Sequence, residues 1–210
     1  MDNKTRHLIR LIKKAQNEYA EDYLVVAIPG FLSKKFIAYC AMHEDLKKTL
    51  EYIKLLRTDV DPIIKSALTY SLISLYGKCY TDASKNNFPK LEPKNLFKDD
   101  NQLIEIHNFL MDLRHQFIAH RGNTESEIGV AYMAIPKKEG VEQSQVNFSQ
   151  IKLNAFSPKE LDKIETLINY VVEYLKQVIK KNGQKIYEAF FEMFTPDQIV
   201  LMLMNNAKQE

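Results

Sequence analysis

Apolar side chains recur at intervals of three and four along most of the chain, the spacing that gathers them on one face of an α-helix. Leu8, Ile9, Leu11, Ile12, Ala15 and Tyr19 predict a first helix over about 3–27, closed by the breaker Pro29-Gly30. Phe36, Ile37, Tyr39, Cys40, Leu46, Leu50, Ile53 and Leu56 predict a second over about 32–57. Asp61-Pro62 opens a third, running to about 82 with Ile64, Leu68, Leu72 and Leu75 on its apolar face. The aspartate accepts from backbone N–H groups that the first turn leaves unpaired, and proline lacks a donor where none is needed. Periodicity lapses over 81–98, where two prolines among Asn and Lys predict a long surface loop. Asp99 or Asp100 then caps a fourth helix, with Ile104, Ile106, Leu110, Leu113, Phe117 and Ile118 facing inward and Gly122 beyond its end.

After Gly122 the pattern changes. Residues 128–135 and 145–155 are rich in Val, Ile, Phe and Tyr and flank Pro136-Lys137-Lys138-Glu139-Gly140, which predicts a β-hairpin. A lone hairpin is marginal in water, so it is expected to pack on the helices. Ser157 and Glu160 form a capping box for a helix over about 158–181, Asn182-Gly183 is expected to break it, and Thr195-Pro196-Asp197-Gln198 caps a last helix carrying Ile199, Val200, Leu201 and Met204. The chain is therefore expected to be mainly α, one domain over 1–210. Its parts are an N-terminal helix (1–30), core helices (31–122), a hairpin insertion (123–156) and C-terminal helices (157–210).

Composition narrows the function classes only a little. A net charge of +2 is too small to announce a nucleic-acid binder, although Lys4, Arg6, Arg10, Lys13 and Lys14, and separately Lys176, Lys180, Lys181 and Lys185, cluster locally. Two cysteines, Cys40 and Cys79, set no disulfide framework and no zinc site, and both are expected to be buried reduced thiols. No signal peptide and no run of about 18 uncharged apolar residues is seen, so the expected location is cytoplasmic, with no membrane partner. Six glycines and the absence of Walker, dinucleotide, nucleophile-elbow and HExxH patterns argue against nucleotide hydrolysis and metalloenzyme chemistry. No metal site and no cofactor is expected.

The densest polar chemistry is Arg114-His115-Gln116-Phe117-Ile118-Ala119-His120-Arg121, at the end of the fourth helix. Arginine offers a charged planar fork that matches phosphate oxygens, and histidine is the side-chain type whose charge changes near neutral pH. Together they suit RNA cleavage without a metal. Cations in a last helical turn also have a structural use, since they cap free carbonyls and face the negative end of the helix dipole.

The string from Leu113 to His120 resembles the Arg-x(4–6)-His signature of HEPN domains, with the polar residue that usually follows the arginine here His115. Leu75-Tyr76-Gly77-Lys78-Cys79-Tyr80 is similar to a segment of HEPN-like proteins of the abortive-infection type. The resemblance spans about 35–180 as a pattern of helices. It implies an antiparallel helical bundle with the hairpin inserted after the motif helix, and a metal-independent endoribonuclease acting as a toxin or phage-defence effector. Arg114 and His120 would be its catalytic residues. RNA would be the substrate, and an antitoxin or regulatory partner would fit the same setting. His115 and Arg121, with Tyr76 and Lys78 from the upstream segment, are candidate substrate-binding residues. For Tyr76 and Lys78 the ordinary reading is a buried tyrosine and a helix-surface lysine.

Spacing bears on assembly. Residues six apart on an ideal α-helix differ by about 120° in direction and about 9 Å in height, so Arg114 and His120 do not share a face. A two-fold axis setting two such helices side by side would collect both arginines and both histidines in one cleft. The HEPN resemblance implies the same homodimer with a composite active site. The competing expectation is a non-catalytic helical module binding RNA, a nucleotide or a protein partner.

Overall fold

The computed structural model describes residues 2–86, 88–98, 100–119, 126–135, 137 and 145–207. It is mainly helical with one small antiparallel sheet. In chain order the elements are α1 (Asn3–Glu18), α2 (Gly30–Leu56), α3 (Pro62–Lys78), a 3₁₀ turn (Ser84–Asn86), α4 (Pro93–Phe97), α5 (Asn101–Asp112), a π-helical segment (Leu113–Ala119), β1 (Glu127–Ala134), β2 (Gln145–Lys152), α6 (Pro158–Met193) and α7 (Pro196–Ala207). The contacts divide the chain into two compact units, Tyr39–Gln177, and Met1–Ala38 together with Val178–Glu210. Among the described residues no helix is long and apolar enough to cross a membrane.

The capping signals act as their chemistry requires. Asp61 accepts from the Ile63 N–H at 2.8 Å and Asp100 from the Leu103 N–H at 3.0 Å, each satisfying a donor that has no partner within its helix. The Ser157 N–H donates to Glu160 Oε2 at 2.7 Å while the Glu160 N–H donates to Ser157 Oγ at 3.3 Å, a reciprocal capping box. Inside the unit 39–177, Leu46 and Ile53 of α2, Leu72, Ile73 and Tyr76 of α3, Leu110 of α5 and Ile164, Leu167, Ile168, Val171 and Leu175 of α6 are fully buried and form the core. Arg57, just past α2, clamps α6 by ion pairs to Asp162 at 2.6 Å and Glu165 at 2.7 Å.

Several expectations are corrected. The first helix stops at Glu18 rather than near residue 27: Tyr19 leaves helical geometry at φ −109° and ψ 10° with its N–H on the Ala15 carbonyl, and a turn closed by the Tyr23 N–H on the Tyr19 carbonyl follows. The stretch 81–98 is not a plain surface loop: Leu91, Leu96 and Phe97 are buried, and Tyr170 donates to the Leu96 carbonyl at 3.0 Å. Asn182-Gly183 does not end α6. Asn182 Nδ2 donates to the Val178 carbonyl one turn back at 2.8 Å, and the next turns bury Ile186 and Phe190. Two buried side chains outweigh the roughly 1 kcal/mol that a helical glycine costs. Cys79 is buried as expected, but Cys40 is only half-buried.

The hairpin forms in the expected place, with Ile128 opposite Ile151 and Tyr132 opposite Asn147. It does not pack on the helices as expected. Ile128, Val130, Tyr132, Met133, Val146, Phe148 and Ile151 are all exposed, so apolar side chains stand on both of its faces. Its own cross-strand contacts hold it. Lys152 pairs with Glu127 at 3.2 Å, and the Phe148 ring covers Gly129, where a Cβ would stand 2.7 Å from Cε2.

Candidate functional site

The site is built where the end of α3 meets the π-helical segment. A run of i→i+5 hydrogen bonds winds the chain more slowly than an α-helix, and such turns inside helices occur frequently at functional positions. The whole of Leu113–Ala119 takes this geometry, beginning one residue before Arg114. A position six residues on still lies roughly a third of a turn away in either winding.

Arg114 is half-buried, and its stem runs across Gly77. A Cβ on Gly77 would collide with Arg114 Cδ and stand 2.7 Å from Nε. Gly77 has no left-handed backbone conformation to explain it, so the glycine serves space and not turn geometry. At the far side of this crossing Arg114 Nη2 donates to Thr81 Oγ1 at 2.9 Å, and the Thr81 hydroxyl in turn donates to the Gly77 carbonyl at 3.0 Å. The hydroxyl proton is thereby committed to the carbonyl, and an oxygen lone pair faces the guanidinium.

The electrostatics of this arrangement favour an anion. Guanidinium carries five N–H donors in a fixed fork, and Thr81 takes one of them. Among the described residues no carboxylate lies within ion-pair distance of Arg114. A partly desolvated cation whose only described side-chain partner is neutral retains its attraction for an oxyanion, and a two-point contact with phosphate is the strongest use of its geometry.

The other predicted residues are placed differently. His115 is exposed beside Arg114. Lys78 projects outward and pairs with Asp45 of α2 at 2.7 Å, so its charge is already answered. Tyr76 is fully buried in the core, with its hydroxyl 2.8 Å from His107 Nδ1. Tyr76 is thus placed as a buried tyrosine and Lys78 as a helix-surface lysine. His120 and Arg121 lie outside the described residues, so the pairing of Arg114 with His120 rests on the sequence.

Sequence reasoning missed three residues near this point. Gly77 and Thr81 have just been described. A glycine late in an apolar-periodic helix without a turn to make was their available signal. The third is His107, which sits among Tyr76, Tyr80 and Phe97 with ring centroids 5.8, 4.5 and 5.4 Å away. Burial in this apolar cage disfavours the imidazolium and lowers its pKa from 6.5 to about 4, so His107 is neutral at physiological pH. The same burial pushes the neighbouring Cys79 thiol up to about 12 and the Tyr76 and Tyr80 phenols well above their usual range. None of these groups ionises near pH 7.

Cavities lie elsewhere. One of about 520 Å³, in the unit of the two chain ends, is walled by apolar residues including Leu24, Phe36, Ile186 and Phe190; one of about 220 Å³ lies between Phe109 and Lys163. Arg114 lines neither of these two. No family model matches the chain, and neither a curated protein nor a solved structure does.

Proposed function

We propose that this chain is a metal-independent endoribonuclease of the HEPN type, acting as a toxin or defence effector. The observation that carries the reading is Arg114, held over Gly77 and by Thr81 with no described carboxylate to neutralise it. In the proposed reaction a ribose 2′-hydroxyl attacks the adjacent phosphorus, its proton passes to a base, and the 5′-oxygen leaves with a proton from an acid. This gives a 2′,3′-cyclic phosphate and a free 5′-hydroxyl. Arg114 binds the non-bridging oxygens and stabilises the charge that builds on them. His120 transfers the proton, as base or as acid. His115 and Arg121 hold flanking phosphates, and a homodimer brings two such motifs into one cleft.

Cleavage of RNA by purified protein in EDTA, compared with His120→Ala, tests this reading. Metal-independent cleavage that disappears in the variant supports it, and equal cleavage by both removes His120 from the chemistry. Sedimentation showing only monomer, even with RNA bound, removes the shared cleft. A second reading, a non-catalytic helical module, is favoured by the fact that the same Arg114–Thr81 bond ties the turn after α3 to the π-helical segment. That reading expects RNA, nucleotide or protein binding with no cleavage.

A further inference from the structure

α1 is an amphipathic helix with no buried residue. At about 100° per residue, Leu8, Ile9, Leu11, Ile12 and Ala15 fall within an arc of about 160°, and Arg6, Arg10, Lys13 and Lys14 within an opposite arc of about 100°. Lys4 falls on the apolar side in the first turn, where a long flexible stem can carry its charge back to the polar boundary. Leu8 and Leu11, at 53% and 63% exposure, open one side of the apolar stripe to solvent, while Ile9, Ile12 and Ala15 are half-buried. The exposed apolar surface continues beyond the helix. Tyr19, Tyr23 and Leu24 come next at 49%, 68% and 81% exposure, the two tyrosines in edge-to-face contact at 5.9 Å.

We propose that α1 is an interfacial helix that lies flat on an anionic lipid surface. Leu8 and Leu11 enter the acyl boundary, and Arg6, Arg10, Lys13 and Lys14 lie among the headgroup phosphates. Charge complementarity selects this partner: residues 2–18 hold five Lys and Arg against Asp2 and Glu18 alone, and a strongly basic polar face opposite an apolar stripe of modest hydrophobicity is the composition that binds at the interface and does not span it. Tyrosine suits the headgroup level, with an apolar ring and a polar tip. RNA would engage the cations and leave the Leu and Ile stripe in water, so it accounts for only half of the helix. The expectation of no membrane partner rests on the lack of a continuous apolar run, a criterion an amphipathic helix never meets. The inference is independent of the ribonuclease reading.

The chain has no tryptophan, so Leu11→Trp in the full-length protein gives a single emission reporter on the stripe. With vesicles of phosphatidylcholine and phosphatidylglycerol, its emission should shift to the blue and the protein should co-sediment. Pure phosphatidylcholine should bind far less, and raising salt from about 0.05 to about 0.5 M should weaken the anionic binding. Arg10→Gln and Lys14→Gln should each weaken binding about fivefold, and Leu8→Glu at least about tenfold. Leu8 is already exposed, so Leu8→Glu should leave the thermal unfolding curve in place; if it does not, the two glutamine variants carry the test. No binding to anionic vesicles overturns the proposal, as does binding indifferent to Leu8→Glu, which is adsorption by charge alone. A dimer that Leu8→Glu dissociates, without vesicle binding, assigns the stripe to a second copy instead. Equal affinity of wild type and Leu8→Glu for an RNA oligonucleotide, again without vesicle binding, assigns the helix to nucleic acid.

Discussion

Gly77 and Arg114 occupy one space: the arginine stem lies where any Cβ on residue 77 would have to be. Two opposed energies meet there, and their sizes decide the sign of a substitution. Alanine is favoured over glycine inside a helix by roughly 0.5–1 kcal/mol, whereas forcing extra volume into a filled site costs about 1–3 kcal/mol. Gly77→Ala should therefore destabilise the wild-type protein. With Arg114→Ala already present, the same change should become neutral or stabilising by up to about 1 kcal/mol. Denaturant unfolding of the four proteins in this cycle measures the coupling, and additive effects would mean that Arg114 does not cross Gly77 in solution.

Gly77→Ala also separates placement from charge, because it keeps the guanidinium but moves it. RNA cleavage should fall with the displaced stem. Thr81→Val, nearly the same shape without the hydroxyl, should lower cleavage by about tenfold or more through loss of a hydrogen bond to a charged group. Its melting curve should change little. Thr81 acts through Arg114, so Thr81→Ser should rescue; a Thr81→Ser protein as impaired as Thr81→Val would refute the positioning role.

Arg114→Lys should damage cleavage nearly as much as Arg114→Ala. An ammonium keeps the charge but loses the planar two-point grip on phosphate. It also loses the geometry that spans Gly77 and reaches Thr81. Both variants should remain folded, and near wild-type cleavage by the lysine variant would reduce Arg114 to a source of long-range field.

At His120 catalysis and helix capping predict different measurements. A proton-transfer role predicts that His120→Asn loses about 10²-fold or more in cleavage with RNA affinity nearly intact. A capping role predicts a loss of up to about 1 kcal/mol in stability with cleavage unchanged. Melting, RNA titration and cleavage of one oligonucleotide, all in EDTA, separate the two.

His107 predicts a pH dependence of folding. Its folded pKa of about 4 lies below the unfolded value of 6.5, so the unfolded chain binds more protons between these values. Its contribution is full above about pH 6.5, falls as pH drops through that window, and does not change further below about pH 4. The total is on the order of 3 kcal/mol. His107→Asn keeps an acceptor near the Nδ1 position for the Tyr76 hydroxyl and removes the titration, so its stability should vary less between about pH 4 and 6.5 than wild type. Parallel curves would mean that His107 stays accessible to protons in the folded state.

Helix starts were legible because single side chains determine them: Asp61, Asp100 and Ser157 each bond a backbone donor a few residues away. Helix ends were less so. Asn182-Gly183 carries the local signature of a stop, but the burial of Ile186 and Phe190 is a tertiary effect that no local window contains. The hairpin register is set by alternation, whereas its exposure depends on which helical surface is free to receive it. Of the candidate site, Arg114 was legible by residue type and position. Gly77 and Thr81 were not, because their roles exist only once α3 and the π-helical segment are adjacent. His107 stands at no regular ligand spacing, and its cage joins residues from α3, the turn after it, α4 and α5 that sequence separation hides.

The π-helical winding of Leu113–Ala119 also has a meaning in chain length. A π turn holds one more residue than the α turn it replaces, so the segment is equivalent to a one-residue insertion in an α-helix that began at Asn101. Deleting Gln116, which is exposed, should let α5 continue as an ordinary helix and turn the chain beyond it by about 100° relative to Arg114. Such a deletion should leave the core intact and raise the unfolding temperature while abolishing cleavage. In those terms the extra residue costs stability and changes the angular relation of Arg114 to the residues that follow it in the segment.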